Sequence, residues 1–178
     1  MNKNTLVVNL FAGPGTGKST SMAHIFAELK WHGIDCEMIT EYAKDKVWEG
    51  SEHVLENQYY VSGKQYFKLK RIQGKVDVVI TDSPILVGLI YGVKEPEEFG
   101  DLIHKYHHQF NNLNIFLNRT KPYNPNGRVQ KNVLEAIEKD IEIKNMLNDR
   151  YVKFIEMDAS RENIPMMVDL IENILNNN

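Results

Sequence analysis

Nine residues, Ala12-Gly13-Pro14-Gly15-Thr16-Gly17-Lys18-Ser19-Thr20, stand between the apolar run Leu6 to Phe11 and a helical pattern from Ser19 to Lys30. Strand, glycine-rich turn and helix in that order confine the chain to folds in which a strand delivers a turn at its carboxyl end and a helix begins at once. Gly13, Gly15 and Gly17 let the backbone turn successive N–H groups inward, so that amides and a helix N-terminus converge on one anion. Lys18 then reaches the β and γ phosphates of a nucleotide, and Ser19 places its hydroxyl on the accompanying Mg²⁺ as Thr20 continues the helix. The stretch Gly13 to Thr20, with Pro14 and Thr16 inside it, is therefore the expected site for ATP or GTP. An ordinary glycine-rich turn is the alternative, and the flanking strand and helix weigh against it.

The rest of the chain repeats that alternation. Strand-like runs recur at 5–11, 34–40, 76–81, 114–118 and 152–157, and helical patterns at 17–31, 42–49, 52–73, 84–91, 97–110, 131–148 and 162–175. Strands separated by helices predict an α/β fold with a parallel sheet covered on its faces. Gly33 and Gly74 stand where helices end, and Pro96 followed by Glu97 and Glu98 stands where one starts. No internal repeat is present, and residues 1–178 are expected to form one domain with a lid segment at about 119–130.

Composition narrows the setting. With 178 residues and 42% hydrophobic content, such a chain is long enough to bury about 70% of its unfolded surface without a metal or disulfide. Cys36 is the single cysteine and lies in an alternating stretch, where a buried strand thiol is expected rather than a nucleophile. The N-terminal apolar run has strand length, so neither a secretory core nor a membrane span is expected and the protein reads as cytoplasmic. A net charge of −3 argues against a surface devoted to nucleic acid, while a local basic groove stays open. Oligomeric state stays open as well, a homodimer included.

Ligands of open parallel sheets bind beyond the carboxyl ends of the strands, and three strand ends carry charge. Asp82 follows Val78-Val79-Ile80-Thr81, the presentation expected of a Mg²⁺-ordering aspartate that shares the metal with Ser19. Capping of a helix before Pro84 is its alternative. Glu41 ends the second strand on the acceptor side, where a carboxylate can take the proton of an attacking hydroxyl; a solvated first-turn Glu is the plainer reading. The segment 119–128 holds Arg119, Lys121 and Arg128 with no acidic residue. A mobile loop carrying arginines supplies charge to a γ-phosphoryl group when closed, and an ordinary exposed loop is the alternative.

Two further clusters stand apart from these. Lys64, Lys68, Lys70, Arg71 and Lys75 interleave with Tyr59, Tyr60, Tyr66 and Phe67. They read first as a solvated face beside an aromatic core stripe, and second as an acceptor groove whose rings stack a base. His104 and His108 share a helix face, but no second ligand cluster accompanies them, so a metal centre is not expected there.

Taken together, these residues resemble the P-loop kinases of nucleosides and nucleotides. Glu41-Tyr42-Ala43-Lys44 is similar to the Glu-Tyr-Ala-Arg stretch of ribosylnicotinamide-kinase-like proteins. Asn9 to Gly15 and Lys121-Pro122-Tyr123-Asn124-Pro125 are similar to small phage-type P-loop ATPases. The resemblance implies a P-loop NTPase with a five-stranded parallel sheet in the order 2-3-1-4-5, using ATP and Mg²⁺. It implies Lys18, Glu41, Asp82, Arg119 and Arg128 as the catalytic set, acting on a hydroxyl of a nucleoside-like acceptor. Some thymidylate-kinase-like phage proteins phosphorylate 5-hydroxymethyl-deoxyuridine in DNA, so a DNA acceptor stands beside a free nucleoside. In thymidylate kinases an arginine that grips the acceptor phosphate follows the third-strand aspartate; here that residue is Ser83, which favours a neutral hydroxyl. A regulatory or motor NTPase, and a binding module without turnover, are the rival readings.

Overall fold

In the computed structural model the structure describes residues 3–125, 130 and 132–177. Five strands, β1 Leu6–Phe11, β2 Cys36–Ile39, β3 Val78–Thr81, β4 Asn111–Asn118 and β5 Ile155–Asp158, form one parallel sheet in the order β2-β3-β1-β4-β5. That is the order and the α/β class expected of a P-loop NTPase. Seven α-helices accompany the strands among the described residues. They are α1 Lys18–Trp31, α2 Tyr42–Trp48, α3 Gln58–Lys70, α4 Gly88–Tyr91, α5 Glu97–His107, α6 Val133–Asp149 and α7 Ile164–Asn176.

The period of two in β1 divides the core. Leu6, Val8 and Leu10 face α1 and α7, where they meet Met22, Ile25, Leu29, Met167 and Ile171. Val7 and Phe11 face the other way, onto Leu69 of α3, Phe99 and Ile103 of α5 and Ile143 and Leu147 of α6. Asn9 shares that second face yet is buried. Its amide donates to Asn112 Oδ1 at 2.9 Å and Asn114 Oδ1 at 3.0 Å, both on β4. Cys36 is fully buried on β2, as expected, and burial pushes its thiol up to about 11, far from a reactive thiolate.

Several boundaries depart from the sequence reading. The helix expected over 52–73 is two pieces, a 3₁₀ turn Glu52–Glu56 and then α3. Asn57 separates them, because its side chain accepts the Tyr60 N–H at 3.0 Å and caps α3. The helix expected over 84–91 opens as a 3₁₀ turn, Ile85–Val87, before α4. β4 starts three residues earlier than its apolar run, since the asparagines that hide it from hydropathy are bonded inside the sheet.

The aromatic stripe of α3 is also placed differently. Tyr59, Tyr60 and Phe67 are 42%, 43% and 62% exposed, whereas the buried face reads Gln58, Ser62, Gln65 and Leu69. That face covers the polar carboxyl ends of β2 and β3. Gln65 Nε2 donates to Thr81 Oγ1 at 3.2 Å, a bond that an aromatic ring could not make.

Candidate functional site

The loop after β1 is shaped by left-handed glycines, Gly15 at φ 74° and Gly17 at φ 123°, conformations that side chains disfavour. Gly17 is the N-cap of α1, with no side-chain cap and no acidic residue in the first turn. The opening N–H groups of a 14-residue helix are thus left for an anion. Gly13 meets a different demand. A Cβ there would stand 2.6 Å from the Ala136 carbonyl and 2.5 Å from Asp140 Oδ1, so the loop packs directly on α6.

Lys18 folds back over the loop, its Nζ donating to the carbonyls of Ala12 at 2.8 Å and Gly13 at 3.0 Å. Burial lowers its pKa, against the pull of Glu41, Asp82 and Asp140 and with a push from Arg119. The charges that act on this one ammonium therefore come from the ends of β2, β3 and β4 and from α6.

Asp82, 3% exposed, joins two of those ends. Its Oδ2 accepts the Ser19 hydroxyl at 2.5 Å and its Oδ1 accepts the Glu41 N–H at 3.1 Å. The turn after Pro84 has no side-chain cap, so this carboxylate acts across the sheet rather than on its own helix. Glu41 stands at the N-cap of α2 in extended conformation and does not cap it. Burial raises its carboxyl above the ordinary range, the Lys18 cation pulls it back, and Asp82 raises it further.

On the opposite side, Arg119 follows β4. Its Nε and Nη2 donate to Asp140 Oδ2 at 3.1 and 2.9 Å, and the pair is 12% and 16% exposed. Its Nη1 is buried, with no acceptor among the described residues. Lys121 lies against the loop as well, since a Cβ on Gly17 would be 3.5 Å from its Nζ. Arg128, the other lid arginine expected from sequence, lies outside the described residues. Lys64 and Lys68 sit over the rings of Tyr60 and Tyr42 at 5.3 and 5.9 Å, and Lys68 Nζ donates to the Thr40 carbonyl at 3.1 Å. Lys70 turns instead to Gln73.

Asp140 and Gln65 were not singled out by the sequence reading. Asp140 had a signal: with Ala136, Ile143 and Leu147 it occupies the buried stripe of α6 at spacings of four, three and four. A carboxylate on an apolar stripe asks for a partner. Gln65 had none, because its neighbours on the buried face are themselves polar.

Beside the loop, an open cleft of about 260 Å³ is bordered by Thr20, His24, Thr120, Ala159 and Arg161. Thr120 Oγ1 donates to the Ala159 carbonyl at 2.9 Å and fixes its wall. His104 on α5 and His108 at its C-cap face each other with Nε2 atoms 3.1 Å apart. Among the described residues no group of three or more potential ligands surrounds a metal position, and no helix is long and apolar enough to cross a membrane.

A family model described as an AAA domain (AAA_28) matches residues 7–163. The chain belongs to this family of P-loop NTPases. Two solved structures of NadR protein share the fold of this AAA domain. The one in complex with NR has a TM-score of 0.68 at 16% identity, over 93% of this chain and 51% of that one. The one in complex with NAD and AMP-PNP has a TM-score of 0.67 at 14% identity, over 96% and 49%. The chain thus spans about half the length of the NadR chains it matches. No curated protein matches it.

Proposed function

We propose that this P-loop NTPase is a phosphotransferase that moves the γ-phosphate of ATP to a hydroxyl of a nucleoside-like acceptor. The observation that carries the reading is the chain Ser19–Asp82–Glu41. Through it, the backbone at Glu41, on the acceptor side, is tied to the hydroxyl expected to meet the metal, and the Glu41 carboxyl feels the charges of Lys18 and Asp82.

Ser19 and Asp82 fit a Mg²⁺ site in donor chemistry, a hydroxyl and a carboxylate 2.5 Å apart at a helix start. They would hold the ion, which when bound offsets charge on the nucleotide phosphates. The base of the nucleotide would lie in the cleft between His24, Thr120 and Arg161. Lys18 exchanges the carbonyls of Ala12 and Gly13 for phosphate oxygens, and Arg119 and Lys121 face the same group. Arg128 belongs to the same proposed lid. Glu41 accepts the proton of the acceptor hydroxyl as its oxygen bonds to phosphorus and the bond from phosphorus to ADP breaks. Burial raises its pKa, which makes the carboxylate a stronger base.

The fold likeness to NadR in complex with NR makes a free nucleoside of that kind the first acceptor to test. Lys64, Lys68, Tyr42 and Tyr60 on α2 and α3, next to Glu41, keep a hydroxymethyl-pyrimidine in DNA as the second. The family's description as an AAA domain supports one other reading, transfer to water.

ADP release measured with and without ribosylnicotinamide, hydroxymethyl-pyrimidine nucleosides and DNA separates these. The expected result is acceptor-dependent turnover that Lys18→Ala reduces by on the order of a hundredfold or more. ADP release that no acceptor raises would mark a dedicated NTPase. Only a DNA acceptor would lose affinity steeply with salt.

A further inference from the structure

The carboxylate of Asp140 is divided between two elements of the site. Oδ1 accepts the Gly13 N–H of the phosphate loop at 2.5 Å, with Thr16 Oγ1 at 3.5 Å. Oδ2 accepts both Nε and Nη2 of Arg119. One edge of the guanidinium is thereby used up. The remaining nitrogen, Nη1, is enclosed by protein, with no acceptor among the described residues. An arginine held through two of its nitrogens has the plane of its guanidinium fixed. Gly13 belongs to the phosphate loop, so the guanidinium is fixed next to where the nucleotide phosphates bind.

We infer that Asp140 is a positioning residue: it clamps Arg119 to the phosphate loop, so that the guanidinium stands in a fixed orientation beside the phosphates of the bound nucleotide. The inference rests on the phosphotransfer reading and adds to it the residue on which the arginine depends. Orientation set before binding is what makes a donor effective as charge builds, since no reorganisation is then needed. The same carboxylate fixes Gly13, so the loop and the arginine move as one unit with α6.

The test is a double-mutant cycle read in two assays. ADP release, with the best acceptor or as basal hydrolysis, reports turnover, and the fluorescence of mant-ADP reports nucleotide affinity. Arg119→Ala is expected to reduce turnover by on the order of a hundredfold or more, as loss of a phosphate-facing arginine does. Asp140→Asn keeps an oxygen for Gly13 but sets an amide against Arg119. It should reduce turnover by on the order of ten- to a hundredfold, the range seen when an orienting partner is lost at metal sites. Mant-ADP affinity should stay within about threefold.

Placed on the Arg119→Ala background, Asp140→Asn should have less than about a twofold further effect, because it acts through the arginine. An equal loss on both backgrounds, or equal losses in affinity and turnover, overturns the inference. If Asp140→Asn does not fold, Arg119→Lys decides. It keeps the charge but has a single nitrogen, so turnover like that of Arg119→Ala supports an orientation requirement and turnover within threefold of wild type overturns it. Lys18→Ala is the control for the underlying reading. If it retains turnover, the phosphate-loop assignment fails; if it is inactive while Asp140→Asn behaves as wild type, the role of Asp140 alone fails.

Discussion

Glu41 carries the chemical burden of the proposed reaction, and its surroundings set a pH signature. Only the deprotonated carboxylate can accept the hydroxyl proton. Burial and Asp82 raise its pKa while Lys18 lowers it, with a net upward shift. Turnover should therefore fall as pH decreases through a pKa above the ordinary carboxylate range, and recover fully above it. Glu41→Gln should remove that acid limb and reduce acceptor phosphorylation by on the order of a hundredfold, with basal ADP release less affected. A pH–rate profile that keeps its acid limb in Glu41→Gln would transfer the role of base to Asp82. At this scale the sequence was informative wherever a residue type has few uses at a strand end, as for Asp82 and Glu41. It was silent on Gln65, whose value comes from a contact with Thr81 that only the packed α3 creates.

Among the elements, α3 shows how a local bond overrides periodicity. A continuous helix over 52–73 satisfies the apolar pattern, yet Asn57 ends one segment and caps the next. The α3 that results begins at Gln58, and this register turns Gln65 toward Thr81 and leaves Phe67 outside. Asn57→Ala should destabilise the protein by about 1 kcal/mol, as loss of such caps does. Urea unfolding followed by circular dichroism reads this directly. An unchanged midpoint would mean that packing, not the cap, fixes the start of α3. Hydropathy could not show the break, because Asn is as common in loops as at caps. For the same reason β4 was legible only from its apolar half, Ile115 to Leu117, while its first residues are polar and bonded to a neighbouring strand.

For the molecule as a whole, the parallel sheet was readable from the alternation of strand and helix, whereas the order of its strands came from the resemblance to P-loop kinases. Less readable was the acid response of the fold. His107, 4% exposed at the end of α5, has its pKa pushed down to about 4, by burial first and then by His108 and His104. An unfolded histidine titrates near 6.5. Between those values the unfolded chain binds a proton that the native state refuses, so stability falls as pH drops from about 6.5 to about 4 and is fully present above. The loss assigned to this group is about 3 kcal/mol. Unfolding free energies at pH 7 and pH 4 should differ by that much more in wild type than in His107→Gln. Parallel losses in the two proteins would remove His107 as the source.

Asn9, Asn112 and Asn114 act at a distance from all of this chemistry. In a sheet whose centre is purely aliphatic, one strand can slide past another by two residues and still place every side chain on its proper face. Here such a slide would strand buried amides without partners, a penalty of about 1–3 kcal/mol for each group. The three asparagines thus work as an index pin between β1 and β4. Gly13 stands just past the end of one strand and Arg119 just past the end of the other, so the gap that Asp140 bridges is gauged near the middle of the sheet, by side chains that never meet a ligand.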